Sequence, residues 1–302
     1  MAKNDVKSNI KPKVFVFEGP DVSGKTTQLS LVKDNLVSMG YKVSCLKYPM
    51  VSKTLVNSTR PSYAKEIYDL LDSNSTDPLS DAIKLSFYNA MNKFDTLCEI
   101  KAAINNYDVV LMDRYLISSL IYDYARLSDI IDCKDFDKSG IDVRFCDKVS
   151  KIMHCVNQLA LSILDAVSIE LGIGQNNSIP FEHIIFRKSK AVSALSNMCV
   201  NREYTATDDN KNLQNYVEKA YLTLGESNGT ITISNNFEDF SEAIRPLNEY
   251  LNMCIDCGKG HIVDTDNIAG YNPKIAYDAK DLCEKLSSVT QDITNYIVKE
   301  IK

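Results

Sequence analysis

Val14-Phe15-Val16-Phe17-Glu18-Gly19-Pro20-Asp21-Val22-Ser23-Gly24-Lys25-Thr26-Thr27-Gln28 is the stretch that decides the fold. Its first four residues are β-branched or aromatic and apolar throughout, the pattern of a strand buried on both faces in a parallel sheet. Gly19 to Thr26 fits G-x-x-x-x-G-K-[ST], and the residues from Lys25 to about Met39 read as a helix that stops at Gly40. Strand, glycine turn and helix in that order make a phosphate cradle. The glycines let backbone N–H groups curl around phosphate oxygens, and the helix N-terminus adds its partial positive charge. Lys25 is placed to neutralise β/γ oxygens, and the Thr26 hydroxyl to ligate Mg²⁺. The loop by itself says only that a nucleoside triphosphate is held.

Working outward, Val43–Leu46, Val109–Met112, Ile184–Phe186 and Thr230–Ile233 read as four further strands. Between them lie helical patterns, of which the clearest places Leu79, Ile83, Phe87, Ala90, Met91, Phe94, Leu97, Cys98 and Ile104 near a 3.6-residue period. Strands alternating with helices predict an α/β sandwich, a parallel sheet with helices on both faces. Two regions read as additions to that core. One is an insertion at about 127–160, charged at its start. The other is an extension, 254–302, that follows an expected last core helix at Glu238–Asn252 and carries a helix of its own at Tyr277–Lys299. Residues 1–12 read as a polar N-terminal tail.

Composition bounds the function. The 302 residues carry 44% hydrophobic and 25% charged side chains, which is globular and not disordered. A net charge of −6 argues against a uniformly basic nucleic-acid surface, while leaving room for a local phosphate pocket. No apolar run reaches membrane-span length, and Met1–Lys13 lacks the apolar stretch of a secretory signal. The nine cysteines form no regular framework, which suits a reducing compartment and hence a cytoplasmic protein.

Directly after the third strand comes Asp113-Arg114-Tyr115, with Ser118, Ser119 and Tyr122 on the helix expected next. Together with Phe17–Gln28, Lys47-Tyr48-Pro49, Leu79-Ser80-Asp81 and Tyr216–Leu222, these residues resemble thymidylate kinase. The similarity runs from about Lys13 to Leu251, interrupted by the insertion. It implies a P-loop NTPase-type three-layer sandwich with a five-stranded parallel sheet, occupying residues 13–253. It also implies transfer of the γ-phosphoryl group of ATP to dTMP, with Mg²⁺ and in a homodimer.

By the same resemblance, Gly19, Val22, Ser23, Gly24, Lys25, Thr26 and Thr27 bind ATP, and Arg114 takes the acceptor phosphate. Asp113 helps hold the Mg²⁺ with Thr26, and Asp21 reaches the deoxyribose 3′-hydroxyl and the metal region. Tyr122 fills the space of a ribose 2′-hydroxyl, Ser119 faces the base edge, and Lys47 and Tyr48 belong to the acceptor site. Because Val22 stands where some members carry a catalytic arginine, that arginine is expected on the lid, at Arg202, with Arg187 a second cation near adenine. The competing readings are Asp113 as a helix cap, Arg114 as a surface charge and Tyr122 as a core side chain.

The base pocket departs from the family pattern. By the resemblance, Phe87 suits the residue that stacks on thymine, but the arginine expected four residues later is Met91 (a slipped alignment would put Lys93 near the arginine's place but Asn89 at the phenylalanine's). Losing a hydrogen-bond donor at that point opens the choice of acceptor among dTMP, dUMP and 5-substituted deoxyuridylates; otherwise Phe87 and Met91 are core residues of an apolar stripe. Cys254-x-x-Cys257 with His261 and Cys283 could form a zinc site, against which free thiols are the preferred reading. Two other classes compete with a kinase. One is a regulatory GTPase or ATPase, in which Asp113-Arg114-Tyr115 has no obvious job; the other is an inactive kinase-like scaffold.

Overall fold

The structure, a computed structural model, describes residues 13–21, 23, 25–49, 64–71, 78–115, 117–119, 121–123, 125–126, 182–187, 213–217, 221, 260–264 and 279–302. Its elements are β1 (Lys13–Glu18), α1 (Lys25–Ser38), β2 (Val43–Lys47), α2 (Ala64–Leu71), α3 (Pro78–Ile104), β3 (Val109–Asp113), β4 (Glu182–Arg187), β5 (Gly260–Asp264) and α4 (Ala279–Ile301). The five strands form one sheet in the order β2-β3-β1-β4-β5, and every neighbouring pair is parallel.

The strand residues alternate between two buried faces. Phe15, Phe17, Val109, Leu111, Ile184 and Phe186 point to one side, where Leu29, Val32 and Leu36 of α1 meet Ile293, Ile297 and Ile301 of α4. The intervening residues Val14, Val16, Val110, Met112 and Ile185 are equally buried on the other. That burial on both sides is why β1 and β3 read as unbroken apolar runs. α1 stops where expected: Gly40 takes φ +93°, and the Gly40 and Tyr41 N–H groups donate back to Val37 and Leu36 carbonyls at 2.9 and 3.1 Å.

Two expectations change. The sheet's fifth strand is Gly260–Asp264, and it lies within the stretch read as an extension; Thr230–Ile233 and Glu238–Asn252 lie outside the described residues. The helix expected at Tyr277–Lys299 is α4, and it covers the core. Its apolar face packs on α1, with Thr290 Oγ1 donating to Gln28 Oε1 at 2.7 Å, and Tyr296 donating to Glu182 at 3.0 Å. Gly260–Asp264 and α4 therefore complete the sandwich. The physical reason is that β4 and the face of α1 would otherwise leave apolar surface and a strand edge open. The insertion at 127–160 lies outside the described residues.

Candidate active site

The carboxyl ends of β1 and β3 are adjacent in register, with Phe17 opposite Asp113. The phosphate loop and the Asp113-Arg114-Tyr115 motif therefore meet at one sheet edge, where ligands of open parallel sheets bind. In the loop, Gly19 adopts φ +155° and packs against β4. Lys25 is buried, and its Nζ donates to the Pro20 carbonyl at 2.5 Å and to Ser23 Oγ at 3.3 Å. Burial, and then repulsion from Arg114, pull its pKa down to about 7 against the attraction of Asp21, Asp113 and Glu18. Thr27 lies exposed in the first turn of α1, while Val22 and Gly24 lie outside the described residues.

Thr26 Oγ1 donates to Asp113 Oδ2 at 2.7 Å. A hydroxyl and a carboxylate at that spacing are hard oxygen donors. They fit Mg²⁺, which typically keeps one or two protein ligands and fills its sphere with water and phosphate. Among the described residues no cluster of three or more His, Cys, Asp or Glu could hold a metal alone. Cys254 and Cys257 lie outside the described residues. The backbone places His261 in β5 and Cys283 in α4.

Arg114 is the hub. Its φ of +67° is the left-handed region that a non-glycine residue enters at a cost of about 1–2 kcal/mol. The conformation is held from several sides: its N–H donates to the Phe17 carbonyl at 3.0 Å, and Nη1 donates to the Gly19 carbonyl at 2.8 Å and to Ser118 Oγ at 2.9 Å. Nη2 is paired with Asp21 and lies 3.4 Å from the Tyr122 hydroxyl, and the guanidinium carbon sits 5.2 Å from the Tyr122 ring centroid. Asp21 also accepts from the Tyr122 hydroxyl at 2.6 Å and from Gln214 Nε2 at 3.3 Å. Burial pushes the Asp21 carboxyl up, but Arg114, Lys25 and these two hydrogen bonds together hold it well below the usual range. Asp113 is bonded to Thr26, Arg114 is part-buried, and the Tyr122 hydroxyl faces the loop acid.

Glu18 lies in the Phe17–Gln28 stretch but ahead of the phosphate-loop pattern, where the sequence assigns it no role, yet it anchors this geometry. It is fully buried; Oε1 accepts from the Tyr115 N–H at 3.0 Å, and Oε2 accepts from the Ser118 N–H at 3.1 Å and from the Ser118 hydroxyl. Ser118 Oγ lies 2.7 Å from the Tyr221 hydroxyl. An acid at the N-terminal turn of the helical residues within 117–126 satisfies their first N–H groups. Burial raises the Glu18 carboxyl above its ordinary range, against the pull of Ser118, Arg114, Tyr115 and Lys25. Gln214 escapes sequence reasoning as well; only its place three residues before Val217, on the helix after the expected lid, hints at it.

The acceptor-side residues are placed as follows. Lys47 is exposed at the end of β2, opposite Asp113 in register. Tyr48 is buried beside it, with its N–H on the Asp113 carbonyl at 3.0 Å and a cis bond to Pro49. Ser119 is buried on the same helical stretch as Tyr122. Phe87 and Met91 share a face of α3 and are 48% and 37% exposed, so neither is a core residue. Arg187 ends β4, and Arg202 lies outside the described residues.

Comparison with known proteins agrees with this layout. A thymidylate kinase family profile matches residues 17–135. The thymidylate kinase of Schizosaccharomyces pombe is 31% identical over 126 residues, 42% of this chain and 55% of that protein. The thymidylate kinase of Caldicellulosiruptor saccharolyticus is 28% identical over 209 residues, 66% of this chain and 91% of that one. A structure of thymidylate kinase from Candida albicans aligns over 96% of this chain and 95% of its own at a TM-score of 0.46 and 14% identity, too loose to add to the sequence match. The first of these relatives is thus spanned over only about half its length. The profile match takes in the phosphate loop, the Tyr48-Pro49 turn, α3 and the Asp113-Arg114-Tyr115 edge together, and over residues 17–135 the chain is similar to the thymidylate kinase family.

Proposed function

We propose that the protein transfers the γ-phosphoryl group of ATP to dTMP, giving dTDP and ADP. The observation that carries this reading is the juxtaposition of two anion sites on adjacent strand ends. Lys25 and the Thr26–Asp113 pair stand on one side, and the Arg114–Asp21–Tyr122 cluster on the other. Phosphoryl transfer is mostly positioning and charge neutralisation, so cations flanking two facing phosphates and few proton-transfer groups are what the reaction needs. Thr26 and Asp113 would hold Mg²⁺, whose charge would offset that of the donor phosphates.

The chain's own residues do the rest. Lys25 leaves the Pro20 carbonyl for the donor phosphate. Arg114, paired with Asp21 when no nucleotide is bound, offers its fork to the acceptor phosphate, and Lys47 adds a second cation there. Asp21, freed in that exchange, receives the 3′-hydroxyl. Tyr122 disfavours a 2′-hydroxyl, Phe87 stacks on the base, and Ser119 meets its edge. Arg202 supplies the lid cation and Arg187 lies near the adenine. The same reading takes the protein as intracellular and dimeric, with residues 127–160 an insertion in its kinase core.

A second reading concerns the acceptor base. Met91, exposed on the Phe87 face, has a thioether that donates no hydrogen bond, so dUMP or a 5-substituted deoxyuridylate is also a substrate class that this pocket would accept. ADP release measured with dTMP, dUMP, dCMP and ribo-TMP separates the readings. We expect dTMP to be turned over and ribo-TMP rejected; no turnover of any pyrimidine deoxynucleotide would overturn the kinase assignment.

A further inference from the structure

Behind the acceptor site lies a buried polar cluster that the reaction outlined above does not use. Tyr48 and Tyr115 each come directly after a cation of the acceptor-phosphate site, Lys47 and Arg114, and their rings meet edge to face at 5.7 Å. Each hydroxyl reaches a main-chain carbonyl of α3, one turn apart. Tyr48 donates to the Asn89 carbonyl at 3.1 Å and Tyr115 to the Lys93 carbonyl at 3.0 Å. The Tyr48 hydroxyl lies equally close to Asn89 Oδ1, at 3.1 Å, while Asn89 Nδ2 donates to Asp123 Oδ1 at 3.0 Å. Asn89, Lys93 and Asp123 are all more than nine-tenths buried. Lys93 Nζ has no hydrogen-bond partner among the described residues.

We propose that Asn89, Lys93 and Asp123 form a positioning device that sets the acceptor-phosphate cations Lys47 and Arg114 through the Tyr48–Tyr115 pair. This rests on the kinase reading above. An ionised Asp123 is acceptor-only, so it dictates which way the Asn89 amide faces: Nδ2 toward Asp123 and Oδ1 toward Tyr48. A neutral acid would carry a hydroxyl able to donate to Asn89 Oδ1, in competition with Tyr48. The Asn89 orientation, and with it the Tyr48 anchor, therefore depends on the charge of Asp123.

That charge is governed by its neighbours. Burial pushes the Asp123 carboxyl up to about 6, while Lys93, Arg126 and hydrogen bonding from Asn89 and Ser86 pull it back. Burial takes the Lys93 ammonium down to about 8, with Asp123 holding it up. The groups facing Asp123 are Lys93, Asn89 and Ser86 from α3, Arg126 from its own helical stretch, and the Tyr48 hydroxyl from the end of β2. Lys93 is thus the charge from a neighbouring element that favours the ionised form of Asp123, which gives a buried ammonium with no hydrogen-bond acceptor among the described residues a purpose.

The test uses the full chain with Asp123→Asn and Lys93→Met, measuring KM for dTMP, KM for ATP and kcat from pH 5 to 9. The second ionisation of the acceptor phosphate falls near pH 6 and is common to all proteins compared, so the difference between variants isolates Asp123. The amide that Asp123→Asn introduces can present either its oxygen or its nitrogen to Asn89. We therefore expect that variant's KM for dTMP to rise about tenfold at pH 7.5, with the KM for ATP within about twofold. In Lys93→Met the acid limb of kcat/KM for dTMP should move up by about one pH unit, because the carboxyl loses a counter-charge. A merely structural role would lower the unfolding temperature and leave that limb in place. If Asp123→Asn does not fold, the Lys93→Met limb alone decides. Wild-type turnover with the limb and the acceptor KM unchanged in the variants overturns this inference and leaves the kinase reading standing. Absence of wild-type turnover overturns both.

Discussion

Gly19 is where the phosphate loop presses hardest on the sheet, and Gly19→Ala tests whether that contact sets the loop. A Cβ built there lies 2.7 Å from the Phe186 carbonyl oxygen, 2.9 Å from Phe186 Cβ and 3.0 Å from Ser23 Oγ. The nearest of these is backbone in β4 and cannot swing aside. Restoring ordinary contact near 3.4 Å requires loop and strand to part by about 0.7 Å. Overpacking of that kind costs about 1–3 kcal/mol, and φ +155° adds strain of about 1–3 kcal/mol for a residue with a Cβ. Partial relaxation leaves about 3 kcal/mol, which lowers the unfolding midpoint by about 6–12 °C at 2–4 °C per kcal/mol. The relaxation also carries loop N–H groups away from the phosphates they cradle, so MgATP affinity should fall about tenfold or more, roughly 1.4 kcal/mol. Denaturant unfolding and calorimetric titration with MgATP read the two effects. A variant within about 0.5 kcal/mol of the parent, binding MgATP equally well, would refute the reasoning.

Other parts of the structure carry three further expected outcomes. Ile297→Ala, fully buried between α4 and α1, should destabilise the protein by about 2–4 kcal/mol in urea unfolding; a change under about 0.5 kcal/mol would mean the C-terminal helix is not core. With no ligand, Lys25 is neutral above about pH 7, and a bound phosphate raises its pKa, so ATP affinity is full below pH 7 and declines as pH rises. Titration at pH 8 in buffers of different ionisation heat should show uptake of about 0.9 proton per ATP, and no uptake would contradict a depressed Lys25. Met91→Arg should sharpen base choice, lowering the dTMP KM relative to that for dCMP by about tenfold in steady-state assays; an unchanged ratio would place Met91 away from the base.

The sheet's first four strands are legible in the sequence because each is buried on both faces or flanked by clear turn residues. β1 and β3 are apolar without interruption, and the phosphate loop marks both the end of β1 and the start of α1. The fifth strand is not legible. Gly260-His261-Ile262-Val263-Asp264 has only two strongly strand-forming residues and sits among glycines, whereas Thr230-Ile231-Thr232-Ile233 has the stronger local pattern. Pairing with β4, a non-local event, decides the matter. The same limit hides Glu18, Gln214 and Asp123. An acid at a strand end or a glutamine in a helix has no periodicity to betray it, and the partners that give Glu18 and Gln214 their roles lie about 100 to 190 residues away. Motif residues are easier, since Lys25, Asp113 and Arg114 sit beside turns whose backbone they also use.

The charge distribution explains how two cations share the site. Lys25 and Arg114 are cations brought close enough to repel each other, and burial removes the water that would screen them. Asp21, Asp113 and Glu18 supply the opposing charge, but they are not interchangeable. Glu18 accepts two backbone N–H groups and stays with the scaffold, and the backbone that fixes Arg114 hangs on it. Asp113 bonds Thr26 through one oxygen, a pairing a cation can replace. Asp21 holds the Arg114 fork itself, so a phosphate that takes the fork must displace a carboxylate of like charge. On the proposed reading, an acceptor phosphate would gain affinity only to the extent that Asp21 finds a new donor, and the Tyr122 hydroxyl and Gln214 amide already stand within reach. A deoxyribose 3′-hydroxyl arriving with the phosphate would add a third. On that reading phosphate and sugar would be recognised jointly, because the hydroxyl would satisfy the carboxylate that the phosphate displaces.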